Sequence, residues 1–287
     1  MTVKSSVGNI VSRGPLEALR NSMPRDEFFA ALALLGCANG IGASAIQSVN
    51  SVGWIASFLN TFGISAIVWI AVFLAIADLL RDKTDRIRSE DLIVGAGFLL
   101  LVMVPLGQAS WVAQTGLGIY LFIAKGSSSR RRAAILLVAI TVPMLWARLL
   151  FNLFANLLLE FDASLVAFVL GTTRSGAIVS LLNGPGYLAI FPACSSVANI
   201  SLALLCWVTI SVSVGHKQSI KDIFWCALIC MSVLAVNITR LSLMGLSIWH
   251  FENIHSSTGD MIANLTMFAL SVGFSMLGVR RELFSRV

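Results

Sequence analysis

Charge is what this sequence has least of. Only 12% of its 287 residues are Asp, Glu, Lys or Arg, while 57% are hydrophobic before the 22 glycines are counted. Soluble domains carry about 25% charged residues. Fourteen acids and 20 bases on so apolar a background, with a mean hydropathy of +0.87, cannot cover a soluble surface. A cytosolic enzyme and a disordered chain are thereby excluded. Cysteine is scarce too: five residues, an odd number, with no CxxC pair, which argues against a disulfide scaffold or a structural zinc site. The fold class this leaves is an all-α polytopic membrane protein, forming a single integral membrane domain.

Apolar stretches long enough for a bilayer need roughly 17–25 residues as helix. They fall at about 28–46, 62–80, 92–107, 111–124, 133–151, 196–214, 223–241 and 261–279, so about eight transmembrane helices are expected. The third and fourth are short and separated by Pro105, Gly107 and Gln108, as in a tight hairpin. Leu34-Leu35-Gly36-Cys37 looks like a lipoprotein cleavage box and Ala43-Ser44-Ala45 like a signal-peptidase site. The 27 residues ahead of the first run are long for a leader, so that run is expected to remain as a helix.

The net charge of +6 is explained by where the bases sit. Lys4, Arg13, Arg20 and Arg25 precede the first run, and Arg81, Lys83, Arg86 and Arg88 follow the second. Lys125, Arg130, Arg131 and Arg132 follow the fourth, Lys217 and Lys221 the sixth, and Arg280, Arg281 and Arg286 the eighth. With both termini cytoplasmic, all of these face one side, as the positive-inside rule requires. The positive balance is then a topology signal and implies no nucleic-acid partner. The expected segments are a cytoplasmic tail (1–27), N-terminal helices (28–151), an outer interfacial segment (152–195), a second set of helices (196–279) and a cytoplasmic tail (280–287). The expected location is the inner (cytoplasmic) membrane.

Three bases break the pattern: Arg148, Arg174 and Arg240 lie at or near the outer side. Ionisable groups held there are functional candidates by default. The outer segment 152–195 has structure of its own. Residues 152–171 are apolar but carry Glu160 and Asp162, which suits an interfacial helix. Residues 177–182 and 187–193 flank Asn183-Gly184-Pro185-Gly186 and read as a β-hairpin, with an irregular re-entrant loop as the alternative.

The hairpin delivers Cys194, which is followed by Ser195 and Ser196 and then by the sixth apolar run. The serines suit a helix N-cap, and the positive end of the helix dipole favours a thiolate beside it. Cys37, Cys206, Cys226 and Cys230 sit inside apolar runs as small packing residues. For Cys194 taken alone, packing residue and nucleophile are both open. The seventh run ends in Asn237-Ile238-Thr239-Arg240, and the loop after it holds His250 and His255 ahead of Gly259-Asp260. A thiol, a guanidinium and an imidazole from separate segments thus converge on one side of the membrane.

This ordered set resembles the exosortase/archaeosortase family of multipass membrane transpeptidases, over roughly residues 160–280. The residues that carry the resemblance are Arg174-Ser175-Gly176 with its hairpin, Ala193-Cys194-Ser195 opening a helix, Asn237 to Arg240 ending the next, and Ile254-His255 four residues before Gly259. The family usually has Cys-Ser-Gly where Ser196 stands here, and an acid closely before the cysteine where this chain has Phe191-Pro192-Ala193. The resemblance implies a cysteine peptidase acting on exported proteins whose C-terminal sorting signal contains a transmembrane helix, as in PEP-CTERM substrates. It implies Cys194 as nucleophile, Arg240 as oxyanion stabiliser, His255 as acid and base, and no metal or organic cofactor. Partners would be such substrate proteins and membrane lipid.

His250, in an aromatic Trp249-His250-Phe251 setting, is the rival to His255. Arg174 is a candidate for binding a substrate carboxylate, for holding the Cys-bearing loop, or for an ion pair with Glu160 or Asp162. Arg148 suits a snorkelling interface residue, and Asn237 either orients Arg240 or caps a helix. Two other classes stay open: an anion transporter or channel with Arg148, Arg174 and Arg240 as its vestibule, and a cysteine-dependent acyltransferase acting on lipid.

Overall fold

The computed structural model describes residues 23–81, 85–124, 126–217 and 219–280. Lys4, Arg13, Arg20, Lys83, Lys125, Arg281 and Arg286, among the bases used above for orientation, lie outside that set. The apolar runs become α1 (Arg25–Val52), α3 (Ala66–Leu79), α4 (Ser89–Val102), α5 (Gly107–Ile123) and α6 (Ser128–Thr141) in the first half of the chain. In the second half they become α8 (Ser196–Ser213), α9 (Lys221–Met244) and α11 (Ser257–Gly278). Shorter helices α2 (Trp54–Leu59) and α10 (Ile248–Ile254) fill connections, and α7 (Ala147–Leu170) joins the halves.

Five helical stretches are long and apolar enough to cross a membrane: Arg25–Val52, Ser128–Leu170, Ser196–Ser213, Lys221–Met244 and Thr258–Gly278. α3, with 14 residues, is apolar but shorter. Large apolar side chains such as Phe73, Ile93, Leu153 and Phe168 stand exposed on the outer surface of the bundle. An all-α membrane protein shows this surface to lipid.

The first half packs α1 on α5, α5 on α6, and α6 on α3, and the second packs α8, α9 and α11 together. α8 leans on α3 and α6 and joins the two sets. Gly36 and Gly40 bring α1 close to α4 and α5: a Cβ on Gly36 would meet Phe98 at 2.7 Å, and one on Gly40 would meet Trp111 at 2.6 Å. Small residues four apart are how lipid-embedded helices approach closely.

The sequence reading separates the fifth span from an interfacial helix starting at residue 152. The chain instead continues as one helical stretch of 43 residues, Ser128–Leu170. Pro143 lacks the N–H an α-helix needs, and the ladder absorbs the gap as a π-helical turn, Val142–Trp146. A second break falls at Phe154 (φ −119°, ψ 24°), and Gly171 ends α7 in the left-handed conformation (φ 65°).

The hairpin is present and gains a third strand. β1 (Arg174–Ser175), β2 (Ile178–Ser180) and β3 (Tyr187–Ala189) form an antiparallel sheet, with Val179 opposite Leu188. Both of those side chains are buried in a cluster with Val166 and Leu170 of α7 and Leu241 of α9. The Leu182 and Asn183 N–H groups donate to the Gly245 and Leu246 carbonyls at 3.0 and 2.9 Å, which staples the hairpin turn to the end of α9.

Several of the bases read as topology markers are occupied structurally. Arg25 and Arg130 are each only 1% exposed. Arg25 donates to both Asp91 oxygens at 2.8 and 2.7 Å, and Arg130 donates to Asp26 at 2.6 and 2.8 Å and to Asp85 at 2.9 Å. Tyr120 adds a hydrogen bond to Asp91 at 2.6 Å, and Arg132 pairs with Asp78 at 2.8 Å. These bidentate pairs tie the start of α1, the start of α4 and the start of α6 into one buried network.

Candidate functional site

The end of the bundle opposite that network is built around Cys194. After β3 the chain makes a short 3-10 turn, Pro192–Cys194, and enters α8 through Ser195, whose hydroxyl accepts from the Val197 N–H. Cys194 is 9% exposed and packs with Ile190, Ile238 and Leu241. It lies just ahead of the N-cap of α8, whose first two N–H groups are taken by Asp162 and by Ser195 Oγ.

Two helices hold this turn from behind. Asn237 of α9 donates its side-chain amide to the Cys194 carbonyl at 2.9 Å and to Ser196 Oγ at 3.0 Å. Asp162 of α7, 2% exposed, accepts from the Ser196 N–H at 3.0 Å and from Ser196 Oγ at 2.9 Å. Ser196 thus links both clamps, and its carboxylate partner stabilises the positive end of α8. The sequence reading has Asn237 orienting Arg240 or capping a helix, and Asp162 at the interface or on Arg174. Both instead fix the cysteine turn. Asp162 lies 34 residues before Ser196, and no local pattern links them.

Arg240 is one helical turn beyond Asn237 on α9 and pairs with Asp260, in the first turn of α11. Among the described residues its buried Nε has no hydrogen-bond partner, and neither has Asn237 Oδ1. Hydrogen-bonding capacity left unspent this way in a buried setting is uncommon. Asp260 stands beside Gly259 in the sequence and has no role among the expectations above. Its signal was being the acid nearest in sequence before the last apolar run.

His255 caps the end of α10 and leads into Ser256, the N-cap of α11. Its ring stacks on Phe251 with centroids 5.1 Å apart, and among the described residues its nitrogens make no hydrogen bond. His250 differs: its Nδ1 lies 2.8 Å from Ser247 Oγ and its ring meets Trp249 edge-on. Gly259 makes the approach between α10 and α11 possible, because a Cβ there would overlap the Ile254 carbonyl.

Contacts therefore connect the three expected residues in sequence. Asn237 joins the cysteine turn to α9 a turn from Arg240, Asp260 joins Arg240 to α11, and Ile254, next to His255, packs against the cluster that contains Cys194. Arg174 is not brought in. It lies exposed on the edge strand β1 and donates to the Gly176 carbonyl at 3.2 Å rather than pairing with Glu160 or Asp162. Arg148 is exposed and lines a cavity of about 370 Å³ with Pro192 and Ser195. Among the described residues, no group of three His, Cys, Asp or Glu side chains could hold a metal ion.

No protein-family model, no curated protein and no solved structure matches the chain.

Proposed function

We propose that the protein is a membrane-embedded cysteine peptidase or transpeptidase of exosortase type. Its substrates are exported proteins that carry a C-terminal transmembrane sorting signal. The observation that carries the reading is a buried thiol on a hydrogen-bonded turn, with a guanidinium of unspent capacity on the clamping helix. In this reading α1, α3, α4, α5, the α6–α7 stretch, α8, α9 and α11 make eight crossings with both termini cytoplasmic. The Cys194 end faces outward across the inner membrane.

The chemistry follows from the residue types. The Cys194 thiolate attacks the scissile carbonyl carbon, and the carbonyl electrons pass to its oxygen. Arg240, oriented by Asp260, donates to that oxyanion. As the C–N bond breaks, protonated His255 gives its proton to the leaving amine. An incoming amine or water then attacks the thioester, loses its proton to His255, and the C–S bond breaks to restore the thiolate. The unencumbered ring of His255 suits this exchange better than that of His250, which Ser247 engages.

The test is Cys194→Ala in the host membrane. Processing of a tagged, membrane-anchored exported protein should stop, and mass spectrometry of the unaltered enzyme should find a substrate fragment on Cys194. Unchanged processing in the variant would sink the proposal.

A further inference from the structure

Two cavities lie on either side of the loop that follows α2. One, about 370 Å³, reaches Pro192 and Ser195, the residues around Cys194. The other, about 460 Å³, runs between α8 and α11. Gly63, Ile64, Ser65 and Leu202 line both, so they share one wall.

The second cavity has an unusual lining for helices this apolar. Asn60, Asn199 and Asn264 all face it, and among the described residues none of their side-chain amides makes a hydrogen bond. Asn199 sits in the first turn of α8, five residues after Cys194, and Asn264 in the second turn of α11, four after Asp260. Polar side chains on membrane helices are costly unless they find partners, and they mark substrate paths. Among the described residues no charged side chain lines this cavity, whose other walls include Leu202, Met267 and Phe268.

The loop that carries this wall is strained just ahead of it. Thr61 (φ 50°) and Phe62 (φ 56°) both adopt the left-handed region, which side-chain-bearing residues avoid. The loop is held by the Thr61 hydroxyl on the Ile64 carbonyl and by Trp69 Nε1 on the Thr61 carbonyl at 3.3 Å. Strain of this kind persists where the surroundings impose it and collects at ligand clamps.

The geometry points to a peptide-binding groove. Resting on the peptidase reading above, it takes the extended main chain of the substrate beside its scissile bond. A carboxamide offers one acceptor and two donors, the complement of a peptide unit. This second cavity, amide-bearing with apolar walls, suits an uncharged main chain and its side chains, and its described lining holds no charge to pair with a headgroup or anion. The substrate crosses the Thr61–Ser65 loop from the cavity beside Cys194 into the cavity of the three asparagines.

The experiment uses the full chain in its host membrane and compares Asn199→Ala, Asn264→Ala, their double variant and Asn264→Gln. Two quantities are read: the yield of acyl-enzyme on Cys194 after an acid quench, and the rate of Cys194 alkylation by iodoacetamide. The double variant should lose about tenfold or more in acyl-enzyme, the sum of two hydrogen bonds. Alkylation should be unchanged, and Asn264→Gln should keep most of the yield of the unaltered enzyme. A normal acyl-enzyme yield in the double variant overturns the groove and leaves the peptidase reading standing. A parallel fall in alkylation also overturns it, since the asparagines would then shape the cysteine turn itself. No acyl-enzyme in the unaltered chain defeats the peptidase reading, and the groove with it.

Discussion

The side-chain amide of Asn237 holds the backbone carbonyl of Cys194, 43 residues away in sequence, at 2.9 Å. The backbone of Cys194 is thus anchored to the helix that also carries Arg240, so the two keep a fixed relationship. Asn237→Ala should leave the Cys194 carbonyl and Ser196 Oγ short of a donor in a buried setting. The expected cost is about 1–3 kcal/mol of stability, with a larger proportional loss of processing. Thermal unfolding in detergent, set beside substrate cleavage, checks both.

Asp162→Ala should orphan the Ser196 N–H at the start of α8. We expect processing to fall while helix content by circular dichroism is retained. Asp162→Asn, which keeps one accepting oxygen, should recover part of the activity. Equal loss in the two variants would show that the carboxylate's hydrogen bonds to Ser196 are not what matters.

Arg240→Ala should lower the rate of acyl-enzyme formation by about a hundredfold, the usual scale for one oxyanion donor. Asp260→Asn should lower it less, because the guanidinium survives and only its orientation is freed. A single-turnover assay on a tagged substrate separates the two.

Gly259→Ala should act like a loss of His255, although it touches no reacting atom. The added Cβ overlaps the Ile254 carbonyl and forces α10 and α11 apart. Processing should fall in both Gly259→Ala and His255→Ala, while His250→Ala should retain most activity.

At the other end of the bundle, Asp91→Asn should destabilise the protein by about 3–5 kcal/mol, since it takes from the buried Arg25 guanidinium its bidentate charge partner and leaves only Asp85, at 3.9 Å. Asp91 lies ahead of the apolar stretch that begins at Leu92. Burial raises its carboxyl, but hydrogen bonds from Arg25, Tyr120 and the Arg88 N–H outweigh it and hold the group below its ordinary value of 3.8. A depressed carboxyl stabilises the fold fully above that ordinary value and loses the contribution as the pH falls below it. The unaltered protein should therefore melt at lower temperature on acidification below about pH 4. Asp91→Asn should lack this component.

Apolar period and turn chemistry made the helices, the Asn183–Gly186 turn and the Ser195 cap legible in the sequence. What stayed hidden were pairings across long separations. Arg25 with Asp91 spans 66 residues and Arg130 with Asp26 spans 104, so each base looked like a loop charge until packing brought its acid alongside. The partner of Asp162 is hidden for the same reason. A carboxylate on an apolar helix reads as interfacial unless the distant serine that receives it is known. Pro143 falls inside the run read as the fifth span, and the π turn lets the helix continue through it.

The continuous α6–α7 stretch begins beside Arg130 in the buried ionic network and reaches Asp162 under the cysteine turn. At 1.5 Å per residue that path is roughly 48 Å long, against about 30 Å of hydrocarbon. One strut is therefore bolted at both ends of the molecule by side chains that cannot slide. Between the bolts only the π turn and the bend at Phe154 offer any give, so the spacing between the two ends is set by the length of a helix and not by a flexible loop.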